Sequence, residues 1–379
     1  MFDGTDAGRV RGSFFGTAAS IPGAERLTCG DLFAGAGGFS LAAMNLGMDV
    51  RFAIENDKHA CDTYETNLIT GSRPFLCNSD ISKLSPAAIQ KDCFSEEEHC
   101  DLILGGPPCQ GFSVHRLNDA GKGDPRNNLI YQYFRFVSHF RPKAFIMENV
   151  PGMLWPRHAD YLERFYSEAA DKGYQVREPI LVEAADFGVP QKRKRVFVLG
   201  VRDDVTLDFK WPISGGFVRK LKKEGTGALW RTASEVFATP LAVDDVNAVH
   251  MNHTDELIEV FRSTPINGGS RHDSKRTLPC HEGHSGHKDV YGRIDPEKPG
   301  PTMTTACINP SKGRFVHPTE HHGITVRHAA RLQTFPDDFT FRGGLMAAGS
   351  QIGNAVPVLL GEAVLGAIAE ALIASNIPN

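Results

Sequence analysis

Cys109 is the residue whose neighbours most strongly suggest chemistry. It lies in the segment Gly105-Gly106-Pro107-Pro108-Cys109-Gln110-Gly111-Phe112-Ser113, directly after an apolar run at residues 101–104. Two prolines stiffen the turn before the thiol, and a thiolate held in this way can act as a nucleophile. A buried, inert cysteine is the alternative interpretation, although core cysteines seldom have so many Pro and Gly neighbours.

Charged side chains that could assist a nucleophile lie beside two other apolar runs. Glu148 follows residues 144–147, and Arg193 and Arg195 come just before residues 196–201. Groups at the carboxyl ends of strands in an open α/β sheet converge on a ligand. We therefore expect a carboxyl group and guanidinium groups near the thiol, with a surface acid and a solvated basic run as the alternatives.

A glycine-rich turn and one acid predict a nucleoside cofactor. The turn Gly35-Ala36-Gly37-Gly38 follows an apolar run at residues 27–33 and opens a helical stretch. Glycines there permit positive φ and let backbone N–H groups approach a ligand. Glu55 ends the next apolar run, where Rossmann-like sites bind ribose hydroxyls through an acid. The spacing is not GxGxxG, which disfavours a nicotinamide dinucleotide, and a tight turn without a ligand remains an alternative.

These residues require a scaffold of alternating strands and helices. Short apolar runs predict strands at residues 27–33, 50–54, 101–104, 144–147 and 196–201, and helical spacing predicts helices at 39–46, 57–67, 129–140 and 161–172. This alternation indicates a parallel, doubly wound α/β sheet. Helical patterns return at residues 326–332 and 354–372.

Length and composition predict about two domains. With 379 residues, 41% hydrophobic and 23% charged, the chain has the composition of an ordinary globular protein. Residues 1–25 lack apolar periodicity and are expected to form a loosely ordered arm. We assign residues 26–202 to the α/β domain, 203–320 to a smaller irregular domain, and 321–379 to a return whose last helix completes the ligand site.

Charge and cysteine usage exclude several classes of protein. Formal net charge is -4, so contact with a polyanion would require a local basic patch. Eight cysteines without a CxxC pair, and a beginning without an apolar signal core, predict reduced thiols in a cytoplasmic protein. No apolar run is expected to reach the length of a membrane span. Cys280, His281, His284 and His287 cluster, but their spacing matches no common zinc pattern, so no metal is expected.

Taken in order, the motifs resemble those of the DNA (cytosine-5) methyltransferase family over nearly all of the chain after about Arg26. The resemblance includes the glycine loop, Glu55, Asp80-Ile81, the Pro-Pro-Cys-Gln segment, Arg126 with Leu129, Glu148-Asn149-Val150, Gln191-x-Arg193-x-Arg195, Thr325-Val326-Arg327, residues 330–337 and residues 351–357. The chain departs from the family at His328, where an acid is usual, and at His322-Gly323, where an arginine is frequent. Both departures are expected to affect local packing or contact with the DNA backbone.

The resemblance implies a Rossmann-like, S-adenosylmethionine-dependent methyltransferase domain with a smaller target-recognition domain. Cys109 would attack C6 of a flipped-out cytosine, Glu148 would act as the acid at N3, and Arg193 and Arg195 would hold O2 and the neighbouring phosphate. S-adenosylmethionine is the implied methyl donor. The residues implied at its site are Phe33, Gly35, Gly37, Gly38, Glu55, Asp80, Ile81, Pro107, Leu129, Asn354 and Ala355.

DNA contacts are expected from a lid and from the smaller domain. Residues 110–128 are polar and suit a lid that closes on DNA, with Gln110, Ser113, Lys122 and Arg126 as its candidate contacts. Between residues 191 and 231, eleven basic residues outnumber four acidic ones and could meet phosphates. Arg271, Arg276 and Arg293 lie in predicted loops that could reach guanine edges.

The implied substrate is double-stranded DNA, bound by a monomer in the nucleoid-associated cytoplasm. A cognate restriction nuclease or another defence protein could act on the same DNA. A transfer RNA cytosine-5 methyltransferase would keep the fold and the donor, but the sizeable variable domain argues for DNA. An exocyclic amino methyltransferase fits less well, because those enzymes resemble Pro-Pro-aromatic where this chain has Pro107-Pro108-Cys109. A non-catalytic DNA-binding regulator would not need Cys109, Glu148, Arg193 and Arg195 together.

Overall fold

One mixed β-sheet positions the site in the computed structural model, which describes residues 14–16, 19–108, 128–219, 228–274 and 289–375. Its strands are β1 (Thr28–Leu32), β2 (Asp49–Glu55), β3 (Phe75–Asn78), β4 (Leu102–Gly105), β5 (Ala144–Asn149), β6 (Tyr174–Val176), β7 (Ile180–Glu183) and β8 (Lys194–Arg202). The order is β3-β2-β1-β4-β5-β8-β6, and β7 also pairs with β8. A separate parallel pair joins β9 (Phe217–Val218) to β10 (Ala228–Leu229).

Strand direction confirms only part of the predicted parallel sheet. The strands from β1 to β5 are parallel to one another. By contrast, β8 runs antiparallel to β5, β6 and β7. The expectation of a parallel strand at residues 196–201 is therefore wrong. The short connections from β6 to β7 and β8 contain no crossover helix, and a parallel strand pair needs such a crossover.

The described helices lie on both faces of the sheet and in the irregular part. They are α1 (Gly38–Asn45), α2 (Lys58–Leu68), α3 (Pro86–Cys93), α4 (Asn128–Phe140), α5 (Ala159–Asp171), α6 (Ser234–Phe237), α7 (Asp255–Ser263), α8 (Val326–Leu332), α9 (Gly344–Asn354) and α10 (Val358–Ser375). The helix predicted at residues 354–372 begins only at Val358. Ala355 is extended and Pro357 has no N–H group to donate, so α9 and α10 are separate helices.

The alternation of side chains along the strands divides the core into two clusters. Leu102 and Leu104 of β4 belong to the cluster that contains α1 and α10 residues, whereas Ile103 belongs to the cluster that contains α4 and α5 residues. Successive side chains of a strand point to opposite faces of the sheet. The sheet is therefore covered on both sides, and only the ends of its strands are left to form a site.

The C-terminal helices return to the first helix of the sheet domain. Asn45 of α1 donates a buried hydrogen bond to Glu362 of α10 at 2.6 Å. The stretch Gly344–Ser375 is long and apolar enough to cross a membrane by length and composition, contrary to the sequence expectation, but 67% of its most apolar window is buried inside the protein. This packing identifies the stretch as part of the core.

Aromatic residues of the predicted loose arm are docked on the protein. Phe14 and Phe15 contact each other edge to face, with ring centroids 4.8 Å apart. The guanidinium carbon of Arg331 lies 4.6 Å from the Phe14 ring centre, and that of Arg231 lies 4.4 Å from the Phe15 ring centre. The arm is thus attached at this point. The division into domains remains a prediction, although β8 does end at Arg202.

Replacement of Asn45 by Ala should lower the free energy of unfolding by about 1–3 kcal/mol, because Glu362 would lose a buried donor. Urea unfolding followed by circular dichroism would measure the change. Asn78→Ala, at an exposed position, is the matched control and should change stability by less than about 0.5 kcal/mol. Equal effects of the two substitutions would contradict the role given to the Asn45–Glu362 bond.

Candidate active site

A cavity of about 360 Å³ lies at the carboxyl ends of β1, β2, β4 and β5. Residues that follow these strands form one wall, and the connection between α9 and α10 forms another. The sequence-predicted residues that line it are Phe33, Gly35, Gly38, Glu55, Pro107, Glu148, Arg195, Asn354 and Ala355. Residues far apart in the sequence therefore meet at one edge of the sheet, as open α/β sheets require for ligand binding.

The glycine loop turns the chain from β1 into α1 at the cavity wall. Gly35 and Gly37 have φ values of 56° and 90°, which favour glycine. No atom lies within 4 Å of the place where a side chain at Gly35 would begin, whereas one at Gly38 would stand 2.6 Å from the carbonyl oxygen of Val356. Gly37 packs on Tyr64 and Leu68 and does not line the cavity. The loop thus faces open space at Gly35 and contacts the C-terminal segment at Gly38.

Glu55 joins the glycine loop to the turn after β2. Its Oε2 accepts a hydrogen bond from the backbone N–H of Gly35 at 2.8 Å. Its Oε1 accepts from the N–H groups of Asn56 and Asp57, each at 2.8 Å. These three donors fix the orientation of the carboxylate, which retains lone pairs for a ligand hydroxyl.

Asp31 is a cavity residue to which sequence reasoning gave no role. Its buried carboxylate accepts a hydrogen bond from the Ser40 hydroxyl at 2.6 Å, and Ser40 accepts one from Tyr64 at 2.8 Å. Burial raises the pKa of Asp31 from 3.8 to about 7. The sequence did contain a signal for this residue, because Asp31 is an acid within the apolar run of the first strand. The cavity therefore contains a carboxyl group that changes its charge near neutral pH.

Glu148 and Arg195 form an ion pair in the wall of the cavity. The Nε of Arg195 lies 2.6 Å from Oε1 of Glu148, and both side chains are about nine-tenths buried. The pair arises because β5 and β8 are antiparallel neighbours, with Glu148 opposite Phe197. The other oxygen of Glu148, Oε2, lies 3.4 Å from the place where a side chain at Gly106 would begin. A glycine at this position leaves the carboxyl group accessible from the cavity.

Arg193 does not contact the cavity, so its predicted substrate contact is corrected. The side chain is 1% exposed. Its guanidinium donates to the backbone carbonyls of Met303 at 2.8 Å, Gly353 at 2.7 Å and Ala355 at 3.0 Å. The carbonyls of Gly353 and Ala355 need donors because α9 ends there. The arginine donors are therefore directed at backbone, away from any base or phosphate.

Three other predicted cofactor residues lie outside the cavity wall. Asp80 accepts hydrogen bonds from the backbone N–H and the hydroxyl of Ser82, at 2.9 and 2.8 Å, and so caps the 3-10 helix Ile81–Lys83. Ile81 is buried in the α4 and α5 cluster, and Leu129 packs against the same cluster. Their cofactor role stays a prediction.

Several predicted residues lie outside the described part of the chain. They are Cys109, Gln110, Ser113, Lys122, Arg126 and Arg276, together with the cluster Cys280, His281, His284 and His287. Pro107 and Pro108, the two residues that precede Cys109 in the sequence, line the cavity. Within the described ranges, no group of three His, Cys, Asp or Glu residues could hold a metal ion.

Arg271 and Arg293 are buried, which corrects their predicted reach to guanine edges. Arg271 is 4% exposed and Arg293 is fully buried. The guanidinium of Arg293 donates to the carbonyls of Thr264, His317 and Phe261 at 3.0, 2.8 and 2.6 Å. Irregular backbone leaves carbonyl groups without sheet or helix partners, and the arginine supplies the donors. Arg293 therefore holds loops together.

Comparisons with known proteins agree with this arrangement. Residues 27–370 match the model of the C-5 cytosine-specific DNA methylase family. The chain is 33% identical over 358 residues to the Type II methyltransferase M1.HphI of Haemophilus parahaemolyticus, covering 92% of this chain and 87% of the relative. It is 32% identical to the Type II methyltransferase M.DdeI of Desulfomicrobium norvegicum, covering 88% and 86%.

Solved structures show the same fold. A crystal structure described as a prophage-encoded DNA modification methyltransferase of E. coli superposes with a TM-score of 0.70 at 27% identity, covering 91% of this chain and 99% of the other. The Dnmt2 methyltransferase of S. pombe has a TM-score of 0.57 at 20% identity, covering 93% and 100%, and shows the fold alone. Together with the family match, these likenesses show that the chain belongs to the C-5 cytosine-specific DNA methylase family and is a DNA cytosine methyltransferase.

Proposed function

We propose that this enzyme transfers a methyl group from S-adenosylmethionine to C5 of a flipped-out cytosine in double-stranded DNA, through a covalent adduct of Cys109 with C6. One observation carries the proposal. The Glu148–Arg195 ion pair and the glycine loop share a cavity, and Pro108, which directly precedes Cys109, lines it. An acid, a fixed cation, a nucleoside-binding loop and a thiol are thereby assigned to one site.

The residues of the cavity suit S-adenosylmethionine. Asp31, Glu55 and Asp57 line it, and three carboxyl groups match a ligand that carries sulfonium and ammonium charges. Gly35 leaves space where any other residue would project a side chain. Glu55 would accept from the ribose hydroxyls, and Phe33, Asn354 and Ala355 would complete the site. When bound, S-adenosylmethionine supplies an electrophilic methyl group.

The protein groups would activate the cytosine as follows. The Cys109 thiolate forms a bond to C6 while Glu148 gives a proton to N3, so the electron pair of the C5–C6 bond makes C5 nucleophilic. Arg195 orients Glu148 and donates to O2. C5 would then take the methyl group, whose bond pair stays on the donor sulfur, and N3 would return its proton to Glu148. Loss of the C5 proton to a base supplies the electron pair that restores the C5–C6 double bond and expels the thiolate.

The concave shape of the site supports a reaction in which the target base leaves the helix. A cytosine stacked in a duplex cannot present C6 to a thiol, so the base must rotate into the cavity. Residues 110–128 are assigned as the lid that closes on the DNA, and the smaller domain as the reader of the target sequence. A monomer is sufficient for this geometry.

The names of the relatives support a proposal for the biological setting of the reaction. They are named as Type II methyltransferases, which supports modification of DNA in a restriction–modification or other defence system. We assign the enzyme to the nucleoid-associated cytoplasm, with a cognate nuclease acting on the same sequence.

Bisulfite sequencing of plasmid DNA from expressing cells tests the function and identifies the methylated sequence. Absence of any protected cytosine would contradict DNA methylation, and bisulfite reads of transfer RNA would test the RNA alternative.

Replacement of Cys109 by Ser should abolish protection of cytosine while S-adenosylmethionine binding stays within twofold of wild type, because a serine hydroxyl is a far weaker nucleophile than a thiolate. Bisulfite sequencing and calorimetry would provide the two measurements. Cys93→Ala, at a buried cysteine that does not line the cavity, is the control and should remain active. Full protection by the Cys109→Ser enzyme would rule out the covalent mechanism.

Replacement of Glu148 by Gln should reduce kcat by roughly 100- to 10,000-fold, because the amide cannot give up a proton in the transition state. Methyl transfer to plasmid DNA at saturating S-adenosylmethionine would measure it. The control Glu259→Gln breaks an exposed ion pair with Arg262 and should leave kcat unchanged. A Glu148→Gln enzyme with wild-type kcat would remove Glu148 from the proposed acid role.

The affinity for S-adenosylmethionine should fall as the pH is lowered from 8 to 6, by up to about tenfold per pH unit, because Asp31 loses its negative charge below a pKa of about 7. Calorimetric titrations across this range would measure the effect, and Asp31→Asn should flatten the profile.

Because the folded-state pKa lies above the unfolded value of 3.8, ionising Asp31 costs stability as the pH rises from about 4 to 7. The ligand-free Asn variant should therefore melt above wild type at pH 8. An unchanged pH profile in this variant would assign the titration to another group.

A further inference from the structure

Arg193 is close in sequence to one wall of the cavity and bonds another. The first wall contains the Glu148–Arg195 pair, and the second is the connection between α9 and α10. Its side chain bonds the carbonyls of Met303, Gly353 and Ala355, at 2.8, 2.7 and 3.0 Å. Two residues later, in β8, Arg195 pairs with Glu148 in the wall of the cavity. One short segment thus contains Arg195, which pairs with Glu148, and Arg193, which bonds the wall on the proposed cofactor side.

Two of the three carbonyls bonded by Arg193, those of Gly353 and Ala355, belong to the cavity wall. Gly353 and Ala355 flank Asn354, and all three residues line the cavity. A side chain at Gly353 would begin 2.2 Å from the carbonyl carbon of Thr304, so the end of α9 rests directly on the segment that includes Met303. Any shift of the guanidinium would therefore move this wall.

A buried amide supports the same segment. The Nε2 of Gln333 donates to the carbonyls of Ile352 at 2.5 Å and Ala355 at 3.2 Å. Gln191, two residues before Arg193, donates to Oε1 of Gln333 at 2.9 Å and accepts from the Met303 N–H at 2.7 Å. Arg193 and Gln333 therefore donate directly to the wall, and Gln191 orients Gln333; of these three side chains only Arg193 bonds the carbonyl of Gly353.

We propose that Arg193 is a positioning residue that fixes the cofactor-side wall of the cavity relative to the Glu148–Arg195 pair, an inference that rests on the proposed methyl transfer. Transfer requires the donor methyl group and C5 to approach within about 3–3.5 Å, so a small displacement of one wall slows it strongly. The planar guanidinium can bond several carbonyls at once, which a lysine ammonium cannot reproduce in the same geometry.

Arg193→Lys is the variant that tests this role, because it keeps the charge and removes the fork. We expect at least tenfold weaker calorimetric binding of S-adenosylmethionine without DNA, and a single-turnover rate at saturating S-adenosylmethionine at least tenfold lower. The matched control is Arg314→Lys. Arg314 also bonds three carbonyls, those of Gly268, Gly269 and Arg293, but it does not line the cavity. Its S-adenosylmethionine affinity should stay within twofold of wild type.

The outcomes distinguish failure of the proposed methyl-transfer function from failure of the positioning role of Arg193. Wild-type protein that does not bind S-adenosylmethionine would overturn the proposed function. Wild-type binding beside an Arg193→Lys enzyme of unchanged affinity or unchanged single-turnover rate would overturn the positioning role alone. An Arg193→Lys enzyme that binds S-adenosylmethionine normally but loses affinity for target DNA would return Arg193 to substrate contact. Arg193→Gln, which keeps one amide donor without a charge, provides the same measurements if the lysine variant does not fold.

Discussion

Backbone carbonyls that are buried outside helices and strands need hydrogen-bond donors, and buried arginines supply many of them in the described part of this protein. Arg193 holds the wall beside the cavity, and Arg293 holds the loops around Thr264 and His317. Each buried carbonyl left unpaired would cost about 1–3 kcal/mol. In the irregular half of the molecule, side chains therefore supply hydrogen bonds to backbone of the kind that strand pairing supplies in the sheet.

The same chemistry connects that irregular half to the return segment. Arg327 of α8 bonds both oxygens of Asp245, at 2.6 and 3.0 Å, with both side chains more than nine-tenths buried. Arg331, one helical turn later, bonds the carbonyls of Val236, Thr239 and Pro240. Helix α8 thus anchors residues 236–245 while it packs in the core of the sheet domain. Residues 236–245, which lie in the part proposed to read the DNA sequence, are thereby held in a defined position relative to α8.

Local sequence patterns predicted the parts of the site whose conformation depends on residues that are adjacent in the sequence. Strand ends, Gly35 with its positive φ and the acid at Glu55 are of this kind, and the structure brings them to one cavity. Arg193 and Arg195 could not be distinguished, because a spacing of two residues places both on one side of an extended chain. Their difference comes from Met303 and Gly353, which are distant in sequence. The direction of β8 and the burial of Asp31 likewise depend on long-range packing.

The contact between Gly38 and Val356 has a consequence for the synthesis of the enzyme. The glycine loop leaves the ribosome before the residues that close the cavity against it, which are more distant along the chain. Such long-range closure must wait until the distant segment is available. A nascent or prematurely terminated chain that ends before Asn354 therefore lacks one wall of its cavity, so cellular DNA meets an active methylase only after translation of that segment is complete.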